Sequence, residues 1–148
     1  MWNDTKFTRL LGLDLPIVQG PFGGRVSSVD LTAIVSNSGG LGSYGCQPFY
    51  TNEIIAISEE IRKKTNRAFN LNLWVKDKDD DVNDFNELAL QEVMRLFLPY
   101  FEEVGVEPPL FPLPESPSFE HQIEAIFAVK PAVFSFVYGI PSADILEK

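Results

Sequence analysis

The chain has 148 residues, 45% of them hydrophobic and 22% charged, which is the balance of one soluble globular domain and not of a disordered or fibrous segment. Its 21 acidic residues against 12 basic ones give a net charge of −9; such a surface repels phosphate backbones and anionic headgroups, so no nucleic acid and no membrane is expected as a partner. No apolar run reaches the roughly 18–20 residues of a membrane span, the opening residues lack a signal-peptide pattern, and Cys46 is the only cysteine, so the expected location is cytoplasmic, without an internal disulfide.

Leu15 to Gln19 is a short apolar run ended by Gly20-Pro21, the pattern of a buried strand feeding a loop. Ser27 or Ser28 can cap a helix over Val29 to Ser36, and Gly39 or Gly40 can end it in the left-handed conformation. Leu41 to Tyr44 reads as a second strand. Thr51 is placed to cap a helix from Asn52 to Thr65, where Ile54, Ile55, Ile57 and Ile61 form one stripe opposite Glu53, Glu59, Glu60, Lys63 and Lys64.

Arg67 to Val75 alternates, with Phe69, Leu71 and Leu73 on one face and Asn70, Asn72 and Trp74 on the other, and reads as a third strand. After the acidic run Asp77 to Asp81, a helical stretch from about Asp84 to Phe101 carries Phe85, Leu88, Val93, Leu96 and Phe97 as its apolar positions. An irregular connector near residues 105–118 follows, with five prolines from Pro108 to Pro117; its interspersed Leu110, Phe111 and Leu113 predict that it lies on the body of the protein. Ser118 can cap a helix from Phe119 to Lys130, and Ala132 to Tyr138 reads as a buried fourth strand before Gly139-Ile140-Pro141.

Strands alternating with helical patterns argue for parallel βαβ units. The fold class expected is therefore α/β, with residues 1–148 forming one incomplete domain: about four βα units of an eight-stranded barrel that typically takes about 250 residues.

Several motifs carry chemistry on paper. Gln19-Gly20-Pro21-Phe22-Gly23-Gly24 places three glycines at the carboxyl end of the first strand, where backbone can approach a ligand closely or simply turn into a helix. Gly40, Gly42 and Gly45 match the spacing GxGxxG, but the dinucleotide fingerprint needs a strand before it and a helix opening inside it, and Pro48 delays the next helix to about Thr51. Asn70 and Asn72 must each find partners inside an apolar strand; their carboxamides serve either neighbouring loops or a ligand ring, and Asn72 is nearer the end where barrel sites form. Asp77, Asp79 and Asp81 have the one-three-five spacing of a calcium loop, yet Val82 stands where glycine is required and Leu88 where a bidentate glutamate is required. His121, the only histidine, falls at the start of a helix and supports no catalytic triad and no metal-ligand cluster. Cys46 reads as a small half-buried side chain.

In order along the chain, PIVQGPFGG (Pro16 to Gly24), AIVSNSGGLGSYG (Ala33 to Gly45), RAFNLNLWV (Arg67 to Val75) and VFSFVYGIP (Val133 to Pro141) resemble the nitronate monooxygenase family, once called 2-nitropropane dioxygenases. LPYFEEVGVEPP (Leu98 to Pro109) is similar to that family's stretch between its third and fourth strands. The resemblance covers nearly the whole chain. It implies the N-terminal half of a flavin-binding TIM-type (β/α)8 barrel whose members use FMN to oxidise alkyl nitronates, and in some cases nitroalkanes, with molecular oxygen to a carbonyl compound and nitrite.

Carried over residue by residue, the resemblance implies that Gln19, Gly20, Pro21, Phe22 and Gly23 pass along the flavin ring, with Phe22 departing from a common methionine, and that Asn72 matches an asparagine or glutamine near the ring. Gly139-Ile140-Pro141 resembles a loop on the substrate side. The family's catalytic histidine and its phosphate-holding loops lie beyond the fourth strand, so no catalytic residue is assigned here and the chain alone is expected to be inactive. The expected partners are a small nitronate-like substrate and, to close the barrel, a complementing C-terminal half or a second copy in a homodimer. Two other readings stay open: a relative of the flavin-dependent enoyl reductases, which share the GGLG region, and a non-catalytic half-barrel that binds no flavin.

Overall fold

The computed structural model describes residues 1–24, 26–75, 87–110 and 117–148. The chain divides into two compact units, Met1–Lys76 together with Ser116–Lys148, and Asp77–Glu115. The acidic run at 77–81 and most of the connector's apolar residues lie outside the described residues, so the calcium-loop comparison and the connector's expected course fall there too.

The larger unit contains α1 (Lys6–Leu11), α2 (Val29–Asn37), β1 (Gly42–Gly45), α3 (Thr51–Lys64), β2 (Phe69–Trp74), and then, beyond the second unit, α5 (Phe119–Val129), β3 (Val133–Val137) and α6 (Ala143–Leu146). The second unit holds α4 (Glu87–Val104), which encloses Pro99 and stops at Gly105, whose φ of 66° lets Val106 N–H turn back to the Phe101 carbonyl at 3.0 Å.

The three strands form one parallel sheet in the order β1-β2-β3. Gly42 pairs with Phe69 and Gly45 with Asn72, while Asn72 pairs with Ser135 and Trp74 with Val137. That is the α/β, parallel architecture expected from the alternation of patterns. Because side chains alternate across a strand, this register sorts the sheet into two faces. Tyr44, Phe69, Leu71 and Leu73 face the helices and join Ile54, Ile61, Ile123 and Ile126 in the core. Fully burying each aliphatic side chain of that set contributes roughly 1.5–3 kcal/mol. Ser43, Gly45, Asn70, Asn72 and Ser135 occupy the opposite face, which in a closed barrel is the interior.

The expected first strand is the main departure. Leu15 to Gln19 does not form a strand; it makes one parallel bridge, Val18 to Leu41, with Leu41 N–H donating to Ile17 at 2.8 Å and Gln19 N–H to Leu41 at 3.0 Å. The next rung would need a backbone N–H from residue 21, and Pro21 has none. Side chains finish the edge instead: Ser43 N–H donates to Gln19 Oε1 at 2.9 Å, and Thr32 Oγ1 donates to the Ser43 carbonyl at 3.2 Å.

The helix caps follow the sequence closely, with one exception. Ser28 caps α2, accepting from Leu31 N–H at 3.0 Å, while Ser27 turns away to donate to the Phe22 carbonyl. Ser118 caps α5 by accepting from His121 N–H. Thr51 is not the cap of α3 but its first residue; the cap is Tyr50, whose N–H donates to Glu53 at 2.8 Å, and the Thr51 hydroxyl is released to donate to the His121 carbonyl of α5 at 2.8 Å. His121 itself lies exposed on the helix surface.

Glycine in β1 is a packing requirement. A Cβ at Gly42 would lie 2.0 Å from the Thr32 carbonyl oxygen and 2.8 Å from Ser36 Oγ, so α2 rests directly on the strand. Cys46, just past the strand, is fully buried, and burial pushes its thiol up to about 12 against a smaller opposing effect of the Asn72 backbone. Among the described residues no cluster of His, Cys, Asp and Glu could hold a metal ion, and no helix is long and apolar enough to cross a membrane.

Two consequences are measurable. Gly42→Ala should destabilise the chain by on the order of 3 kcal/mol, because the clash is with backbone that has nowhere to move; the midpoint of urea unfolding reads this directly, and an unchanged midpoint would refute the contact. Cys46 should resist thiol reagents at pH 8 in the native state and react at once in denaturant, since a neutral, buried thiol is neither nucleophilic nor accessible.

Candidate functional site

The carboxyl ends of the three strands converge with the loop after the Val18 bridge. Gly45 is the meeting point: a Cβ there would lie 2.7 Å from the Phe22 carbonyl oxygen, so the loop lies over the end of β1. Asn72 pairs with Gly45 on one side and with Ser135 on the other, in the centre of the sheet end. The structure thus brings the Gln19–Gly23 loop and Asn72, separated by about fifty residues of sequence, onto neighbouring positions.

Each residue of that loop has a describable role. Gln19 uses its carboxamide to tie the loop down: Oε1 accepts from Ser43 N–H, and Nε2 donates to the Gly20 carbonyl. A side chain at Gly20 would meet nothing within 4 Å, which leaves that stretch of backbone open to a ligand. Pro21 ends the bridge. Phe22 turns its ring outward, 52% exposed, and its carbonyl accepts from Ser27 Oγ at 3.0 Å. Gly23 accepts from Val26 N–H and passes close to Trp74, whose Cζ2 would be 3.5 Å from a Cβ at that position.

Trp74 in turn meets Tyr138 edge to face, with ring centroids 5.0 Å apart and planes at 83°. Tyr138 has φ of 68°, the left-handed region that costs a non-glycine residue roughly 1–2 kcal/mol. The strain is held by the turn around it: Val75 N–H donates to the Val137 carbonyl at 3.0 Å, and Gly139 packs so closely on Val75 that a Cβ would be 3.0 Å from its Cγ1. The Tyr138 ring stays 73% exposed beside Trp74.

Behind this rim lies a polar cluster on the interior face. Asn70 Nδ2 donates to Ser135 Oγ at 2.8 Å and to Ser43 Oγ at 3.2 Å, and Asn72 Nδ2 donates to the same Ser135 Oγ at 2.9 Å. Both asparagines are only 3% exposed. Asn70 Oδ1 is buried without a hydrogen-bond partner.

Sequence reasoning missed three participants. Ser135 is the one polar residue in the apolar run Val133 to Val137, a signal of the same kind as Asn70 and Asn72. Gln122, buried on α5, donates through Nε2 to the carbonyls of Gln47 at 2.7 Å, Phe49 at 2.8 Å and Cys46 at 3.3 Å, clamping the loop that leaves β1; nothing in its local sequence separates it from a surface glutamine. The Trp74–Tyr138 pair depends on a turn conformation that sequence pattern does not encode.

The chemistry of this donor set can be stated. Carboxamides, glycine backbone and aromatic rings suit a flat, uncharged heteroaromatic ring. The segments 19–24, 45–49, 74–75 and 137–141 contain no Lys or Arg, although Arg25 and Lys76 directly follow two of them in sequence. The basic residues Arg62, Lys63 and Lys64 belong instead to the last turn of α3, at the opposite, amino end of the strands. The residues of those segments are compatible with a flat ring of the flavin kind, and none of them carries a positive charge for a phosphate.

Comparison with known proteins gives the family and the fold. The sequence profile of the nitronate monooxygenase family matches residues 4–148. A probable nitronate monooxygenase of Staphylococcus aureus is 28% identical over all 148 residues, and the chain spans 40% of that relative's length. Among solved structures, a nitroalkane oxidase from Streptomyces ansochromogenes superposes with a TM-score of 0.74 at 21% identity, covering 97% of this chain and 39% of the other. A FabK variant from Thermotoga maritima superposes with a TM-score of 0.62 at 20% identity, covering 97% and 34%. The superpositions establish a partial (β/α)8 barrel, and the profile match over almost every residue establishes descent: the chain belongs to the nitronate monooxygenase family.

Proposed function

We propose that this chain supplies the flavin-ring side of an FMN-dependent enzyme that oxidises alkyl nitronates or nitroalkanes to a carbonyl compound and nitrite. The observation that carries the proposal is the convergence of the Gln19–Gly23 loop with Asn72 at Gly45, in a chain of this family. Bound FMN would supply the redox chemistry, accepting electrons from the substrate and passing them to oxygen.

The chain's own residues do the rest of the work assigned to this half. Gln19 fixes the loop so that the backbone at Gly20 and Gly23 is presented in one conformation. Asn72 offers a hydrogen-bonding carboxamide at the centre of the strand ends. Phe22, Trp74 and Tyr138 form an apolar rim that excludes water from whatever lies over the strand ends, which strengthens every hydrogen bond made there.

Barrel strands beyond these would pair along the outer edge of β3. There Phe134 and Phe136 open onto an apolar groove of about 810 Å³, bordered by Ile126, Phe127, Ile145 and Leu146. The partner of that edge is a complementing C-terminal half, which would bring the proton-accepting base and the phosphate contacts, or a second copy of this chain, which would cover the edge without supplying them.

The test is incubation with excess FMN, removal of free ligand by gel filtration, and the visible spectrum of the protein peak. The Trp2→Phe variant adds a second reading, since Trp74 is then the only tryptophan and its emission should be quenched by a flavin bound at the strand ends. The expected result is a retained yellow band, quenched emission and a stability gain of about 2.7 kcal/mol at 100 times the dissociation constant. A colourless peak with unchanged emission would reduce the chain to a half-barrel that binds no flavin. Oxidation of NAD(P)H in place of nitronate by the completed enzyme would turn the assignment toward the enoyl reductases.

A further inference from the structure

The interior cluster of Ser43, Asn70, Asn72 and Ser135 contains a feature that packing does not explain. Asn70 is almost wholly buried and leaves its carbonyl oxygen without a partner. An unpaired buried acceptor is unfavourable, and an apolar residue of the same size would avoid the cost altogether. Turning the carboxamide over would not remove the problem, because the amide nitrogen would then be the orphan and would lose its contacts with Ser43 and Ser135.

The arrangement does accomplish one thing. Ser135 Oγ receives N–H donors from both Asn70 and Asn72, and a hydroxyl oxygen has two acceptor sites. Both are filled by amide nitrogens, and Asn72 has its nitrogen toward Ser135 and its carbonyl oxygen on the opposite edge of the carboxamide. Ser135 is the register partner of Asn72 on β3, and Asn70 is the residue one step deeper on the same face, so the fixing group comes from the sheet and not from a mobile loop.

We propose that Asn70 and Ser135 are positioning residues that fix the orientation of the Asn72 carboxamide, so that Asn72 presents its carbonyl oxygen to an N–H donor of the bound ring. This rests on the reading of the strand ends as a flavin-ring site, and it adds the direction of the hydrogen bond: Asn72 accepts and the ring's imide N–H donates. Asn70 does not touch the ligand; its unpaired oxygen is the cost of holding its nitrogen on Ser135.

The experiment uses Asn70→Leu, Ser135→Ala and Ser135→Thr, each measured in two ways. Hydrogen exchange of the Asn72 side-chain amide, followed by NMR without ligand and assigned with Asn72→Ala, reports the hold on the carboxamide. The FMN dissociation constant reports its use. In Asn70→Leu and Ser135→Ala we expect faster exchange and a dissociation constant raised about tenfold, the effect of one misoriented hydrogen bond, whereas Ser135→Thr, which keeps the hydroxyl, should behave as the parent. Asn70→Leu should unfold at no lower temperature than the parent.

Unchanged Asn72 exchange in Ser135→Ala would overturn the proposal, as would faster exchange with an unchanged FMN dissociation constant. Should the parent chain bind no FMN, the flavin-site reading fails and this proposal fails in its ligand direction, while the exchange data still decide whether Ser135 holds Asn72. The two failures are therefore told apart by the ligand-free measurement.

Discussion

The close approach of backbone to both faces of β1 is the constraint on which the rest of this structure depends. Gly42 admits the Thr32 carbonyl of α2 on the helix side, and Gly45 admits the Phe22 carbonyl on the interior side. A side chain at either position would push away a whole segment, not a flexible side-chain end. Because the strand is only four residues long, these two contacts leave little of it free, and they fix both α2 and the loop that carries Phe22 relative to the sheet.

From that strand the order propagates through hydrogen bonds made by polar side chains. Thr32 and Gln19 complete the edge of β1 that Pro21 prevents the backbone from completing. Gln122 reaches from α5 to hold three carbonyls of the loop after β1, while Thr51 ties α3 to α5. At the amino ends of the strands, Arg67 Nη2 donates to the Gly12 carbonyl and to Asp14. In barrels of this kind the ends of the strands divide the work, the amino ends serving stability and the carboxyl ends carrying sites.

The same separation explains why the strand ends can carry a site. The hydrophobic core lies between sheet and helices and does not depend on the interior face, so that face is free to hold amides and hydroxyls. Their cost is visible in the unpaired Asn70 oxygen, and the strained Tyr138 backbone is a second local cost at the same end.

By itself the sequence determined the class of fold, three of the four strands to within a residue or two, the caps of α2 and α5, and the family. These follow from period, from cap chemistry and from ordered motifs, all of which act over a few residues. The glycine loop from Gln19 to Gly23 and the carboxamide of Asn72 were legible as local signals, and the family resemblance supplied the role proposed for them. Only the tertiary structure decided that the first strand is a single bridge, since that depends on a missing N–H at Pro21 opposite Ser43. It alone joined Ser135 to Asn70 and Asn72, brought Gln122 to the β1 loop and set Trp74 against Tyr138. Each of these pairs residues more than sixty positions apart, and their meeting is fixed by strand register and helix packing, which no window of local sequence contains.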